Sequence, residues 1–131
     1  MGLSVAHQLA RLGRNVEILS RRRNEAAGFV AAGMLAPHAE GLSGNLLKLS
    51  KASLNRLPEW VETIENDSDI HCGLLKCGIV VPFLSEEERD SYPTARFGKS
   101  LSRTELKQEI QGIGPRWHTG LLFSQDGQID N

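Results

Sequence analysis

The stretch Glu25 to Glu40, EAAGFVAAGMLAPHAE, holds residues that can do chemistry through backbone geometry rather than side-chain reactivity. Ala31, Ala32 and Gly33 carry almost no side-chain bulk, so the backbone there can lie within van der Waals distance of a large flat ligand or of another element. Main chain can hold a cofactor in this way. The alternative is a small-residue helix packed tightly against a sheet, and composition does not separate the two. Reactive side chains are sparse by comparison. Cys72 and Cys77 lack zinc-knuckle spacing and no second Cys or His pair follows them, so they read as free thiols, with no metal site expected. His7, His38, His71 and His118 are scattered without i, i+4 pairing and read as surface or loop residues rather than ligands.

The elements that must position this stretch begin at the N-terminus. In MGLSVAHQLARL, Leu3, Ala6, Leu9 and Ala10 share one face at helical spacing, and Gly13 is placed to cap the helix C-terminus. Asn15 to Ser20, NVEILS, then reads as a short buried strand. A helix, a glycine turn and a strand make the second half of a βαβ unit. A dinucleotide fold opens with an apolar strand and a G-x-G-x-x-G turn, whose last glycine lets the helix pack closely on the strand. Gly2 sits where that third glycine would be. The expectation is a fragment, or a gene model begun at an internal methionine, with the first strand and first two glycines upstream of residue 1.

Beyond the small-residue stretch, a long helix is expected from about Ser43 to Asn66. Leu46, Leu49, Leu57, Trp60, Val61 and Ile64 fall near one stripe, Ser43 serves as N-cap, and Pro58 should kink or divide it. Cys72 to Phe83 suggests two short strands around Gly78, with Ile79, Val80 and Val81 buried. Ser85–Glu88 and Ser102–Glu105 have the S-x-x-E form of a capping box and mark two short helices. Gly112 to Pro115 is a turn cluster, Leu121–Phe123 a final strand, and Asp126-Gly127 a hairpin-type turn signal before Gln128–Asp130. There is no internal repeat.

Composition excludes several functions. The 131-residue chain has a formal net charge of -1, which makes no electrostatic case for nucleic acid or an anionic membrane as partner. No apolar run reaches the roughly 18–20 residues of a membrane span, and the N-terminus lacks a signal peptide's basic head and apolar core. A soluble, cytoplasmic protein is expected.

Gly2-Leu3-Ser4-Val5-Ala6, the strand ending at Ser20, and above all Ala31-Ala32-Gly33-Met34-Leu35 followed by Pro37-His38-Ala39-Glu40 resemble the N-terminal part of the glycine oxidases. These are FAD-dependent enzymes of the D-amino-acid oxidase superfamily associated with thiamine biosynthesis. The AAGML stretch with HAE downstream is the specific part of the likeness. The helix after Gly2 is shared by many flavin and nicotinamide proteins.

The fold class implied by this likeness is α/β. Residues 1–70 would form a partial Rossmann-like FAD-binding domain, and residues 71–131 the beginning of an α+β substrate domain. The resemblance also implies FAD as cofactor, and glycine or another small amine with oxygen and water giving the oxo acid, ammonia and hydrogen peroxide. The flavin accepts a hydride from the substrate α-carbon while the protein orients the two. No protein side chain need act as a strong base, so no catalytic dyad is expected. Gly2 would pack at the pyrophosphate turn, and Ala31, Ala32, Gly33 and Met34 would line the flavin. Met34 would lie on the substrate side, where its flexible thioether fills space beside a small amino acid. In the family the arginine that binds the substrate carboxylate lies beyond residue 131. Members are often oligomeric, which makes a homo-oligomer one expectation.

One departure concerns the adenosine end. The residue ending the second strand is usually Glu or Asp, accepting hydrogen bonds from the ribose, whereas here it is Ser20, followed by Arg21, Arg22 and Arg23. A hydroxyl accepts more weakly than a carboxylate. Arginine after that strand is also the signature for a 2′-phosphate, which NADP has and FAD lacks, so an NADP-binding oxidoreductase is the alternative enzyme. Ser20 and Arg21 are the candidate adenosine contacts in either case. A third alternative is a non-catalytic remnant or partner-dependent module, whose sheet edge would be unpaired.

Overall fold

The computed structural model describes residues 2–22, 25, 28 and 31–130. Its contacts divide the chain into Met1–Ala31 and Ala32–Asn131. In the first unit, α1 spans Gly2–Arg11. It ends as the glycine signal requires: Gly13 has φ 70°, its amide donates to the Ala10 carbonyl at 2.9 Å and that of Arg14 to Leu9 at 3.0 Å. This pair of bonds is a Schellman closure, satisfying carbonyls that the last turn leaves open. Of the apolar face, only Ala6 is buried; Leu3 and Leu9 are exposed.

The strand expected over Asn15–Ser20 is not formed. The segment has no regular secondary structure, and Leu19 is 88% exposed. A β-strand is defined by ladder hydrogen bonds to a neighbour, and among the described residues none pairs with it. Alternating Val16, Ile18 and Leu19 set only its local preference.

The second unit is built on an antiparallel sheet of three strands: β2 (Ile79–Phe83), β3 (Lys99–Leu101) and β4 (Thr119–Phe123), in the order β2-β4-β3. The strand nearest the middle of the sheet is the most buried, with only Leu122 of β4 partly exposed. Pro82 faces Gly120 across the ladder. It is tolerated because β2 is an edge strand, where a missing amide costs no second ladder. Phe83, Leu121 and Phe123 form the core cluster, with Ala39, Val81, Tyr92 and Ala95 packed against it. Phe83 and Tyr92 meet edge-on at 5.1 Å, the arrangement favoured by ring quadrupoles.

Both S-x-x-E boxes start helices. In α3 (Glu86–Asp90) the Ser85 side chain accepts from the Glu88 amide; in α4 (Arg103–Glu109) Ser102 and Glu105 form the full reciprocal box. Leu106 of α4 is completely buried. A Cβ on Gly120 would approach its Cδ1 to 2.9 Å, so this glycine lets the helix close on the sheet. Arg103 donates to the carbonyls of Pro115 and Trp117 and so fixes the turn after α4.

The long helix α2 runs unbroken over Gly44–Ser68, with Pro58 inside it. Pro58 does not divide it. Proline removes only one amide, and Leu47 and Val61 anchor the helix on either side. Ser43 is the N-cap residue but makes no side-chain capping bond. The buried stripe is also shifted from the expected one. Leu46 and Leu49 are exposed, while Leu47 is buried, so Leu47, Leu54 and Val61 recur at seven-residue spacing.

The remaining elements are short. β1 (Met34–Leu35) pairs antiparallel with β5 (Gly127–Gln128). On its other side β5 meets Leu75 in an isolated bridge, with N–H···O bonds of 2.8 and 2.9 Å in the two directions. Two expectations are corrected here. Before Gly78 there is a single bridging residue instead of a strand. The Asp126-Gly127 signal does not make a hairpin from β4, because β5 leaves that sheet to pair with β1. A Cβ on Gly127 would collide with the Leu75 carbonyl oxygen, so glycine serves close backbone approach at this position.

Candidate functional site

The small-residue stretch leads into a tight turn at Ala36–Leu42. Glu40 donates its amide to Ala36, Gly41 to His38 and Leu42 to Pro37, at 2.9, 3.0 and 3.3 Å. Gly41 has φ 65°, and a Cβ there would sit 3.1 Å from the Tyr92 ring. Three one-turn bonds alone would not hold such a loop in place. A buried polar cluster does.

Its centre is Asp126, which is 0% exposed, against His38 at 3%. One carboxylate oxygen of Asp126 accepts from the His38 and Ala39 amides at 3.1 and 2.7 Å. The other lies 2.6 Å from His38 Nδ1. An ionised carboxylate only accepts, so Nδ1 carries the hydrogen in this pair. The turn's carbonyls are satisfied from the opposite side: Thr94 Oγ1 donates to His38 O and the Tyr92 hydroxyl to Ala39 O, each at 2.6 Å. Burial, and secondarily the charge of Glu40, raise the Tyr92 phenol above its ordinary value. It therefore remains a donor at neutral pH. A buried charge needs such saturation of its lone pairs, since an uncompensated one costs several kcal/mol, ~3 or more.

This cluster fixes the exit of the small-residue stretch, and the ladder with β5 fixes its centre. Gly33 has φ 68°, and a Cβ there would run into the Ile129 carbonyl oxygen; the Ile129 amide donates to Gly33 O at 2.9 Å. The close approach allowed by Gly33 is thus to the backbone of the same chain just after β5. Ala32 is exposed beside it, and Met34 is 58% exposed. A groove of about 360 Å³ lies between Met34, Leu35 and Ala36 on one wall and Leu49, Ser53 and Leu57 of α2 on the other.

The other candidate residues fall in the first unit. Gly2 opens α1, and a Cβ on it would meet nothing within 4 Å. The fold's own packing therefore does not require glycine there. Ser20 and Arg21 are exposed. Arg22 pairs with Glu25 at 3.1 Å on the surface, an arrangement worth little in stability. Ala31 is exposed. Arg23 of the arginine run, and Ala26, Ala27, Phe29 and Val30 of the small-residue stretch, lie outside the described residues. No group of three or more His, Cys, Asp or Glu side chains among the described residues could hold a metal ion. No helix among them is long and apolar enough to cross a membrane.

His38 is the main correction to the sequence reading. It belongs to a loop, as expected, but it is buried and hydrogen-bonded rather than superficial. Asp126 was legible only as a turn residue. Nothing local announces the pair, since its members stand 88 positions apart.

A mixed helix–strand domain with exposed small residues beside an apolar groove suits a protein that holds a planar cofactor largely by main chain. The chain belongs to the FAD-dependent oxidoreductase family, whose profile it matches over residues 1–131. Among curated relatives it is 34% identical over 134 residues to the bifunctional protein ThiO/ThiG of Synechocystis sp., covering 100% of this chain and 20% of that protein. The ThiO/ThiG protein of Trichormus variabilis is 31% identical, with 100% and 21% covered. The chain therefore spans about a fifth of the length of these relatives. Among solved structures, glycine oxidase from Bacillus cereus superposes with a TM-score of 0.80 at 20% identity, covering 98% of this chain and 38% of that one. Glycine oxidase from Geobacillus kaustophilus gives 0.69 at 24% identity, covering 80% and 31%. At these identities the likeness concerns the fold, which is that of the N-terminal part of a glycine oxidase.

Each unit by itself leaves room for a flat group against its main chain. In the Ala32–Asn131 unit, Ala32 and Met34 are exposed; within Met1–Ala31, a Cβ on Gly2 would meet nothing within 4 Å.

Proposed function

We propose that this chain is the cofactor-side part of an FAD-dependent oxidase acting on glycine, or on another small amine or D-amino acid. The products are the oxo acid, ammonia and hydrogen peroxide, in a role linked to thiamine biosynthesis. The carrying observation is the family match along the whole chain; the exposed segment ending at Met34, beside the α2 groove, supports the assignment of the binding surface. FAD, when bound, supplies the oxidising power by accepting a hydride. The chain's own residues bind and orient. Gly2 would contact the pyrophosphate, and Ser20 and Arg21 the adenosine. Ala31, Ala32 and Gly33 would line the ring system, and Met34 would bound the substrate side.

None of these side chains supplies a proton acceptor, and none is needed when the amine binds neutral. In this reading residues 1–70 serve the cofactor and residues 71–131 open the substrate domain. The longer protein would act on its substrate with oxygen, in the cytoplasm and as a homo-oligomer.

The test is an absorbance spectrum of the purified chain after incubation with excess FAD and removal of unbound ligand. A retained flavin band that disappears on Met34→Arg supports the assignment and warrants a glycine-dependent peroxide assay. No retained flavin on a chain shown to be folded by circular dichroism overturns cofactor binding by this segment. A second reading, NADP binding, is favoured by Ser20 and Arg21 standing where a carboxylate would serve FAD. It is distinguished by titrating the same chain with NADP and NAD: preference for the 2′-phosphate that is lost in Arg21→Ala would displace the flavin reading.

A further inference from the structure

A second cavity lies in the Ala32–Asn131 unit, on the other side of Leu54 from the groove beside Met34. It measures about 170 Å³ and is lined by His38, Lys51, Leu54, Asn55, Phe97 and Gln125. Ordinary ligand pockets run from roughly 300 to 1,000 Å³, so this one admits only a small molecule. Its lining is rich in hydrogen-bond donors. Lys51 offers three N–H groups, and Asn55 and Gln125 two each. No lining residue is acidic.

Two further features organise these groups. The imidazole of His38 packs against Phe97 and Phe123 at centroid distances of 5.2 and 6.2 Å, and Asp126 holds its Nδ1. Nε2 is therefore the ring nitrogen without a hydrogen, an acceptor rather than a donor. Asp126 itself is saturated by three N–H groups, which blunts its repulsion of an anion. Lys51 Nζ stands 4.4 Å from the centroid of the Phe97 ring, and the Arg96 guanidinium 4.7 Å from the same centroid. The negative face of an aromatic ring attracts cations, and here it gathers positive charge at the cavity wall.

We propose that this cavity is a binding site for a small oxyanion, a carboxylate or a phosphate. Lys51 supplies the charge and Asn55 and Gln125 donate through their carboxamides, while the His38 ring forms the inner wall. The apolar faces of Leu54 and Phe97 accommodate the rest of a molecule of a few heavy atoms. The proposal does not depend on the flavin assignment, because none of the residues assigned to the flavin lines this cavity.

The experiment is a nuclear magnetic resonance titration of the full chain with acetate, inorganic phosphate and chloride at matched ionic strength. It follows the Asn55 and Gln125 carboxamides and the His38 imidazole nitrogens. Saturable shifts with acetate are expected for a carboxylate site, and with phosphate alone for a phosphate site; either supports the proposal. Lys51→Met keeps the alkyl stem over Phe97 and removes the charge. It should weaken binding about tenfold or more, the scale of one charge-assisted hydrogen bond. Asn55→Leu, on the surface side of the cavity, should weaken it as well and serves if the Lys51 variant fails to fold. Shifts linear in concentration and equal for all three anions overturn the proposal, as does unchanged affinity in a folded variant.

Discussion

At the scale of single residues, Asp126 is a costly position to change. Asp126→Ala leaves the His38 amide, the Ala39 amide and His38 Nδ1 without their acceptor in a buried place. Each such loss costs roughly 1–3 kcal/mol, so a total of about 3 kcal/mol or more is expected in urea denaturation. Asp126→Asn keeps one acceptor oxygen and turns the other into a donor, so it should be intermediate at best. Equal stability of both variants and the parent chain would remove the cluster from the account of the turn. Gly33→Ala tests a different cause. Its positive φ and the nearby Ile129 carbonyl forbid a Cβ, and a loss above about 1 kcal/mol is expected. A neutral outcome would mean that the β1–β5 ladder adapts freely.

At the scale of elements, the N-terminus of α4 is the clearest electrostatic device. The Glu105 carboxyl is lowered from 4.5 to about 2, first by the Ser102 amide, then by the Ser102 hydroxyl and Lys99. A carboxylate whose folded pKa is depressed contributes stability that is present above its unfolded value and lost as pH falls through the folded one. The capping contribution should therefore hold from neutrality to about pH 4.5 and fade toward about pH 2. A carboxyl titration of Glu105 followed by nuclear magnetic resonance measures it directly. A midpoint at the ordinary value would mean that the reciprocal box does not form in solution, and Ser102→Ala should move the midpoint upward.

At the scale of the whole molecule, each unit leaves apolar surface exposed. In Met1–Ala31 the exposed side chains include Leu3, Leu12 and Leu19, and in Ala32–Asn131 Leu46, Leu49 and Ile70. Single exposed apolar residues are ordinary, whereas contiguous apolar patches mark contact surfaces, and Leu46 and Leu49 lie three residues apart on α2. With a net charge of -1, little repulsion opposes association. Sedimentation of the purified chain should show average mass rising with concentration, and Leu46→Glu with Leu49→Glu should reduce the rise. A constant monomer mass across the accessible range would mean that these faces are adequately solvated.

The sequence by itself determined what is decided within a few residues. Ser102–Glu105 starts a helix and Gly13 ends one, because caps and positive φ act over one turn. Family membership was legible in the same local way, through AAGML and HAE. Tertiary structure decided the rest. Asn15–Ser20 has strand composition but, among the described residues, no partner to complete a ladder. The face α2 buries moved from Leu46 to Leu47, since neighbouring side chains choose among stripes that periodicity allows. Asp126 became a buried anchor for His38, because a carboxylate's acceptors are satisfied by whichever amides the closed chain brings near, here from 88 positions away.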